Sequence, residues 1–367
     1  MTRGKRPAIA VQIQDVARHA GVSVTTVSNV LNGRMERMRP GTLRRVNEAI
    51  RVLNYQPNQV ARLLKTGRSP LLGLLVPTIA NPFFGSLACE IDERAQKLGY
   101  RLLLGNTARD SEKERDFLES LMAFGVRGVI TTSSIVEQDH YRSFIERGLS
   151  IVSFDRKSSP HASLPVDYVS IDNFEAGRAA TEHLLAAGHR AIAYVTAPAK
   201  TLSRIDRRDG YFAAMKRARL SAEIRVFELR VKTAFGDSDM SEVGRNVANE
   251  VAKTNPRPTA IVTMNDMLAI GMIARLHDLG LRVPNDISIV GIDDLYLDPL
   301  IRPAISSMRQ PLPDIAQAML ERLMARLENP KLPTTELVFK PELIARDSVR
   351  TLAPIPSKRV RVGPAKP

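Results

Sequence analysis

The stretch Ile13-Gln-Asp-Val-Ala-Arg-His-Ala-Gly-Val-Ser-Val-Thr-Thr-Val-Ser-Asn-Val-Leu-Asn32 decides how the amino-terminal part of the chain folds. Ser23 is placed to cap a helix, and Gly21 is placed to end the one before it. Apolar residues recur at helical spacing on both sides of Gly21, at Ile13, Val16, Ala17, Ala20, Val27, Val30 and Leu31. The pattern predicts two helices joined by a tight turn, the helix-turn-helix arrangement.

A third apolar stripe and a shorter segment follow this pair. The stripe comes after Arg39-Pro40-Gly41 and comprises Leu43, Val46, Ile50 and Leu53. Residues 57–65 form the shorter segment, which Thr66-Gly67-Arg68-Ser69-Pro70 ends. A segment of fewer than about ten residues is marginal as an isolated helix because nucleation is costly. We therefore expect an all-α head at residues 1–56, and at 57–69 a hinge helix and linker that becomes helical only when docked.

The net charge of +14 is concentrated at the two ends of the 367-residue chain. Residues 1–68 hold 13 Lys and Arg against 3 Asp and Glu, and residues 350–367 hold 5 against none. A concentrated positive charge attracts a polyanion, because neutralising phosphates releases their counterions. An acidic membrane surface would be attracted by the same charge, so the charge by itself only favours nucleic acid. Residues 351–367 are rich in Pro and basic residues without periodicity and are expected to be a disordered tail.

From Leu71 onward, short apolar runs alternate with amphipathic stretches. This alternation predicts parallel strands covered by helices on both faces, an α/β core of two doubly wound parallel-sheet lobes at residues 70–350. We expect the N-lobe at about 70–168 plus 303–333, and the C-lobe at about 169–302 plus 334–350. Ligands of such sheets bind beyond the carboxyl ends of the strands.

Several classes of protein are disfavoured by what the sequence lacks. Cys89 is the single cysteine, which excludes an internal disulfide and a cysteine-rich zinc site, and we expect it to be a small buried hydrophobe. No apolar run reaches the roughly 18 residues of a membrane span, and no signal-peptide core follows the basic start. Phosphate-loop, His-Glu-x-x-His and Gly-x-Ser-x-Gly motifs are absent. We expect a cytoplasmic protein with no catalytic centre, no metal site and no cofactor.

Further motifs follow the opening stretch, in the order Leu53-Asn-Tyr-Gln-Pro-Asn58, Val60-Ala-Arg-Leu-Leu-Lys65, Asn81-Pro-Phe-Phe84, Arg282-Val-Pro-Asn-Asp286 and Gly291-Ile-Asp-Asp294. On these motifs the chain resembles LacI/GalR-family transcriptional regulators over about residues 12–350. The resemblance implies a repressor that is a homodimer with a periplasmic-binding-protein-like core. It also implies two partners, a pseudo-palindromic operator in double-stranded DNA and a small-molecule effector held between the lobes. The helices at 83–98 and 267–279 are the expected dimer surface.

The resemblance places Val24, Thr25 and Asn29 on the outward face of the second helix as base contacts. An Asn side chain pairs with adenine, and the methyl groups of Val and Thr can contact that of thymine. The alternative is that Thr25 is merely solvated and Val24 partly buried. The residues expected at the DNA backbone are Ser23, Thr26, Ser28, Asn32 and Arg44.

In the hinge, the resemblance places Leu64 as an apolar wedge in the minor groove, with Arg62 and Lys65 near the groove edge. The alternative is that Leu63 and Leu64 pack one hinge helix against the other. If Leu64 is the wedge, Leu64→Ala should weaken operator binding by at least about tenfold.

The effector is expected to contact a set of residues that follow apolar strands: Phe83, Phe84, Asp155, Ser203, Arg207, Asn265 and Asp293. The alternative for Phe83 and Phe84 is burial in the core of the lobe or of the dimer interface. Asp266 is expected to cap its helix. Arg204 and Arg208 are alternative candidates for the effector contact assigned to Arg207. A sugar or sugar derivative is the expected effector. A nucleobase-responsive corepressor-type regulator, a solute-binding protein and a sugar- or nucleotide-processing enzyme remain alternatives. The sign of the response, induction or corepression, stays open.

Overall fold

The computed structural model describes residues 11–31, 34, 38–55, 69–133, 139–155, 164–198, 201–228 and 239–352. Asn32, Arg62, Leu64 and Lys65 lie outside these ranges, as does the chain beyond Leu352. The roles assigned to them therefore stay predictions. Two units divide the chain, Met1–Ser69 and Pro70–Pro367.

The first unit contains three helices, α1 (Ile13–Ala20), α2 (Val24–Leu31) and α3 (Pro40–Val52). Gly21 adopts φ +62°, a left-handed conformation that glycine reaches without a Cβ clash, and so closes α1. The Ser23 hydroxyl accepts the Thr26 N–H at 3.1 Å and caps α2. One small apolar cluster holds the helices together, made of Val16, Ala17, Ala20, Val27, Val46 and Ala49. The predicted helix-turn-helix is confirmed.

The second unit alternates strands and helices. In chain order its elements are β1 (Leu71–Val76), α4 (Pro82–Lys97), β2 (Arg101–Asn106), α5 (Ser111–Ala123), β3 (Gly128–Thr131), a 3-10 turn (Asp139–Tyr141), α6 (Arg142–Glu146), β4 (Ser150–Phe154), β5 (Asp167–Ile171), α7 (Asn173–Ala186), β6 (Ile192–Thr196), α8 (Leu202–Arg217), β7 (Arg225–Glu228), α9 (Met240–Lys253), β8 (Ala260–Thr263), α10 (Asp266–Asp278), β9 (Ser288–Asp293), β10 (Ser306–Arg309), α11 (Leu312–Glu328), β11 (Glu336–Phe339) and β12 (Glu342–Ile344). Within the described ranges, no helix is both long and apolar enough to cross a bilayer.

The strands form two sheets, ordered β11-β5-β4-β3-β1-β2 and β12-β10-β9-β8-β6-β7. Every neighbouring pair is parallel except β10 and β12. Successive residues of β1 enter opposite apolar layers, Leu74 among side chains of α4 and α11 and Leu75 among those of α5. Because helices cover both faces, the strands are apolar almost without interruption. This is the predicted pair of doubly wound lobes.

The predicted limits of the lobes are wrong at three strands. The prediction places residues 169–171 in the C-lobe, yet they belong to β5, which pairs in the first sheet. It places residues 306–309 in the N-lobe, yet they form β10, which pairs with β9 in the second sheet. Strand β11 pairs with β5 and so belongs to the first lobe, not to the second. The chain crosses between lobes near Asp172, near Gln310 and between β11 and β12. Local composition does not encode which sheet a short strand joins, so the pattern could not place these crossings.

Cys89 is exposed, contrary to the expectation that it is buried. Helix α4 buries the side that carries Phe84, Leu87, Ile91 and Ala95, and Cys89 projects from another side. At 3.6 residues per turn, position 89 lies about 200° around the helix from position 87. The thiol therefore belongs to the outer surface of this helix.

Candidate functional site

A cleft lies where the carboxyl ends of the two sheets face each other. It has about 490 Å³ of empty space, including its solvent-open part. All seven residues predicted to contact an effector line it. The full lining is Asn81, Phe83, Phe84, Arg109, Thr132, Phe154, Asp155, Ser203, Arg204, Arg207, Met264, Asn265, Asp293 and Gln310.

Arg207 lies at the centre of a hydrogen-bonded network on the second lobe. Its Nε donates to Asn173 Oδ1 and its Nη1 to the Met264 carbonyl, both at 2.7 Å. The same Nη1 is 3.5 Å from Asp293 Oδ1. Because the guanidinium is held by groups from several elements, its orientation is set before any ligand arrives.

Asp293 is the carboxylate that faces Arg207. Burial raises its pKa to about 8, while the charge of Arg207 acts in the opposite direction. Gln310 Nε2 donates to Asp293 Oδ1 at 2.7 Å. A carboxyl group in this position can accept hydrogen bonds from hydroxyls, or donate one when it is protonated.

Two acidic residues of the cleft have strained backbone. Asp155 has φ +60° and Asp293 has φ +133°, values that residues with a side chain rarely adopt. Such conformations cost about 1–3 kcal/mol each and cluster at binding sites. The Asp155 carboxylate also accepts a hydrogen bond from the Asn173 amide, which links it to the Arg207 network.

The first lobe contributes an aromatic surface. The Phe83 ring stacks on Phe154 with centroids 6.1 Å apart and meets Phe84 edge-on at 5.2 Å. Phe83 and Phe84 are also buried in the apolar layer of this lobe. Both interpretations left open by the sequence therefore hold. The first-lobe wall of the cleft therefore combines these aromatic rings with the polar side chains of Asn81, Arg109, Thr132 and Asp155, and it faces the polar network of the second lobe.

Sequence reasoning missed six of the lining residues, which are Asn81, Arg109, Thr132, Phe154, Met264 and Gln310. Arg109 and Thr132 follow β2 and β3, so the strand-end rule that found the others could have found them. Gln310 follows β10, whose lobe was assigned wrongly.

The structure narrows the alternatives at the second lobe. Asn265, not Asp266, caps α10, because its side chain accepts the Leu268 N–H at 3.0 Å. Arg204 lines the cleft together with Arg207. Arg208 instead contacts Asp209 and stands over the Phe212 ring.

The head presents an uncharged helix within a basic surface. On α2, Val24 and Thr25 are exposed and Asn29 is half-buried, so Val24, at 41% exposure, is not a core residue. Ser28 and Thr26 are half-buried and Ser23 is exposed. The exposed arginines around this helix are Arg18, Arg34, Arg39, Arg44 and Arg45. Short polar side chains flanked by cations suit a DNA groove with phosphates at its edges.

Comparison with known proteins places both units. Residues 12–58 match the model of bacterial regulatory proteins of the lacI family, and residues 181–349 match the periplasmic binding protein-like domain. The HTH-type transcriptional regulator PtxS of Pseudomonas aeruginosa is 33% identical over 340 residues, which cover 92% of this chain and 95% of that protein. The chain belongs to the LacI family. This LacI-family protein is accordingly a DNA-binding transcriptional regulator.

Other relatives of this LacI-family chain extend the comparison. The ribose operon repressor of Halalkalibacterium halodurans is 32% identical, with 92% of this chain and 97% of that protein covered. The Lac repressor dimer bound to operator and an anti-inducer is 25% identical with a TM-score of 0.78, covering 93% of this chain and all of that one. A LacI-family regulator from Enterococcus faecium with bound ribose is 25% identical with a TM-score of 0.67, covering 77% and 100%.

Proposed function

We propose that this protein is a repressor whose operator affinity is set by a sugar or sugar derivative bound in the cleft. The observation that carries the proposal is the pairing of walls. Arg207, Asn265 and Asp293 offer donors and acceptors for hydroxyl groups on one side, and Phe83 offers an aromatic face on the other. Sugars carry many hydroxyls and an apolar C–H face, so they match both walls.

In the DNA complex, α2 lies in the major groove, with Val24, Thr25 and Asn29 at the bases. Ser23, Thr26, Ser28 and Arg44 hold phosphates, together with Asn32 from outside the described residues. A homodimer carries two such heads to the half-sites of a pseudo-palindromic operator. Leu64, with Arg62 and Lys65, enters the minor groove between them. Support comes from the exposure of Ser23, Val24 and Thr25 and from the exposed arginines of the head.

The effector acts by preferring one arrangement of the two lobes. The lobes are joined by three short crossings, near Asp172, near Gln310 and between β11 and β12. A ligand that contacts both walls stabilises one arrangement of the lobes relative to the other. The free energy that couples effector binding to DNA binding is typically about 1–3 kcal/mol, and the coupling is reciprocal. The protein acts in this way by binding alone, in the cytoplasm, without catalysing a reaction.

A two-stage experiment tests the proposal on the full-length protein. An operator is first selected from a randomised duplex pool, and its affinity is measured against salt. Thermal unfolding is then followed with D-ribose, D-gluconate, cellobiose and adenine. We expect one of the sugars to raise the melting temperature and to change operator affinity. Stabilisation by adenine alone would overturn the sugar assignment. Uniform, salt-sensitive binding to every duplex would overturn the repressor.

A further inference from the structure

A fully buried carboxylate, Glu114, lies in the first turn of α5, away from the cleft lining. Its Oε1 accepts a hydrogen bond from the hydroxyl of Ser133 and lies 3.4 Å from that of Thr107, whose single proton is shared with the Val76 carbonyl at 3.3 Å. Its Oε2 accepts the Tyr141 hydroxyl at 2.5 Å and lies 2.8 Å from His140 Nε2. Four polar groups from outside the helix therefore converge on one side chain.

These four groups belong to two connections of the first lobe. Thr107 lies between β2 and α5, whereas Ser133 and the 3-10 turn with His140 and Tyr141 lie between β3 and α6. A buried carboxylate is costly unless its oxygens are hydrogen-bonded, so both connections are tied to the same point. The Tyr141 hydroxyl is also 3.0 Å from Thr131 Oγ1 at the end of β3, which adds a second tie to that strand.

Both connections carry residues of the cleft. Arg109 follows Thr107 by two positions, and both Ala108 and Arg109 are left-handed, with φ +54° and φ +57°. Two consecutive non-glycine residues in this region persist only when the surroundings hold them there. Thr132 adjoins Ser133, and both its N–H and its hydroxyl donate to the Leu75 carbonyl at 3.0 Å.

We propose that Glu114 is a positioning residue for the effector cleft, whose carboxylate holds the loops that carry Arg109 and Thr132. It acts on the first-lobe wall without touching a ligand, which distinguishes it from the lining residues. This inference rests on the proposed function of the cleft as the effector site. The alternative is a general anchor of the first lobe, which would affect the whole lobe equally.

Hydrogen–deuterium exchange on the full-length protein, without any ligand, distinguishes a positioning role of Glu114 from a general anchoring role. We compare Glu114→Gln with Glu112→Gln, the same change at an exposed position on the same helix. Glu114→Gln should raise amide exchange at residues 107–110 and 131–133 by about tenfold or more, since a hydrogen bond to a charged group contributes that much. Exchange in β1 and in α8 should stay at the wild-type rate, and Glu112→Gln should match wild type throughout.

Tyr141→Phe provides a second test that keeps the ring and removes the hydroxyl. It should raise exchange mainly at 131–133 and 139–141, even if Glu114→Gln folds poorly. Equal rises across β1 and the cleft loops, or no change in the loops, would overturn the positioning role. Because no effector enters this measurement, its result is independent of whether the cleft binds a sugar.

Discussion

Arg207 joins three parts of the second lobe through one side chain. Its partners are Asn173 at the start of α7, the Met264 carbonyl after β8, and Asp293 at the end of β9. A buried guanidinium in this setting positions its neighbours as much as it contacts a ligand. Replacing Arg207 is therefore expected to weaken effector recognition more than the stability of the lobe, because the rest of the lobe does not depend on the cleft.

Arg207→Gln should abolish the response of operator binding to the effector while leaving operator affinity within about threefold of wild type. We expect Arg207 to donate a hydrogen bond to the effector, and losing a hydrogen bond from a charged donor costs about 1.5–3 kcal/mol, which lowers effector affinity at least about tenfold. Isothermal titration with the stabilising sugar and gel retardation of the operator measure the two effects. Arg217→Gln, a change at an exposed arginine on the same helix, is the control. A normal dose response in Arg207→Gln would remove the residue from the site.

His183 and His189 predict how stability depends on pH. Burial lowers the pKa of both imidazoles below 6.5. His189 is fully buried, with its ring nitrogens next to Thr259 Oγ1 and the Arg350 carbonyl. Below about pH 6.5 the unfolded chain takes up protons that the folded protein does not, so stability falls as the pH is lowered and is unaffected by these groups above it.

The free energy of unfolding is expected to fall by at most about 1.4 kcal/mol per pH unit for each histidine. Thermal unfolding between about pH 7.5 and 5 measures it, and NMR titration of the imidazole protons assigns it. The ordinary imidazole pKa of about 6.5 is the reference. Titration of His189 at or above that value would contradict this prediction.

At the scale of helices and strands, the sequence predicts elements well and their partners less well. The apolar period predicts helices at 83–98 and 267–279, and they occur at Pro82–Lys97 and Asp266–Asp278. Such a period is a local property, and caps such as Asn81 mark its limits. The sheet that β10 joins depends on contacts distant in sequence, and the error there hid Gln310. Strand-end positions placed seven residues in one cleft, but the carboxylate of Glu114 has no motif that marks it.

The α7–α8 pair depends on glycine. A Cβ at Gly177 would lie 1.9 Å from the backbone oxygen of Arg207, so the two helices touch at the cleft residue itself. Gly177→Ala should therefore push α8 away and displace Arg207. Overpacking of this kind costs about 1–3 kcal/mol. We expect a lower melting temperature together with loss of the effector response.

Gly271→Ala is the matched control, because its Cβ would meet the Ser241 oxygen at 1.8 Å in the α9–α10 pair. It should destabilise the protein by a similar amount and keep the effector response. Melting curves with and without the stabilising sugar measure both effects in each variant. An intact response in Gly177→Ala would show that Arg207 tolerates displacement of its helix.

At the scale of the whole molecule, charge and symmetry determine DNA binding. The basic head contributes affinity that falls steeply with salt, and that contribution is the same for every duplex. In the proposed DNA complex, discrimination between sequences comes from the uncharged face of α2 and from the simultaneous binding of two half-sites. Linking two weak sites raises the overall affinity by about 10²–10⁴ without new contacts. The surface that pairs two copies is therefore as important for repression as the base contacts.

Ala274→Arg tests that surface on α10. Met267 and Ile270 are half-buried and Ala274 is exposed, and their spacing puts them in one row along the helix. If this row pairs with a second copy, an arginine in it buries an unpaired charge and yields monomers. Light scattering should then give half the mass of wild type, and operator affinity should fall by about 100-fold or more, since the second half-site is lost. Ala218→Arg, at the exposed end of α8, should stay dimeric with wild-type affinity. A dimeric Ala274→Arg that binds the operator normally would exclude α10 from the dimer surface and leave α4, with its exposed Cys89, as the surface to test.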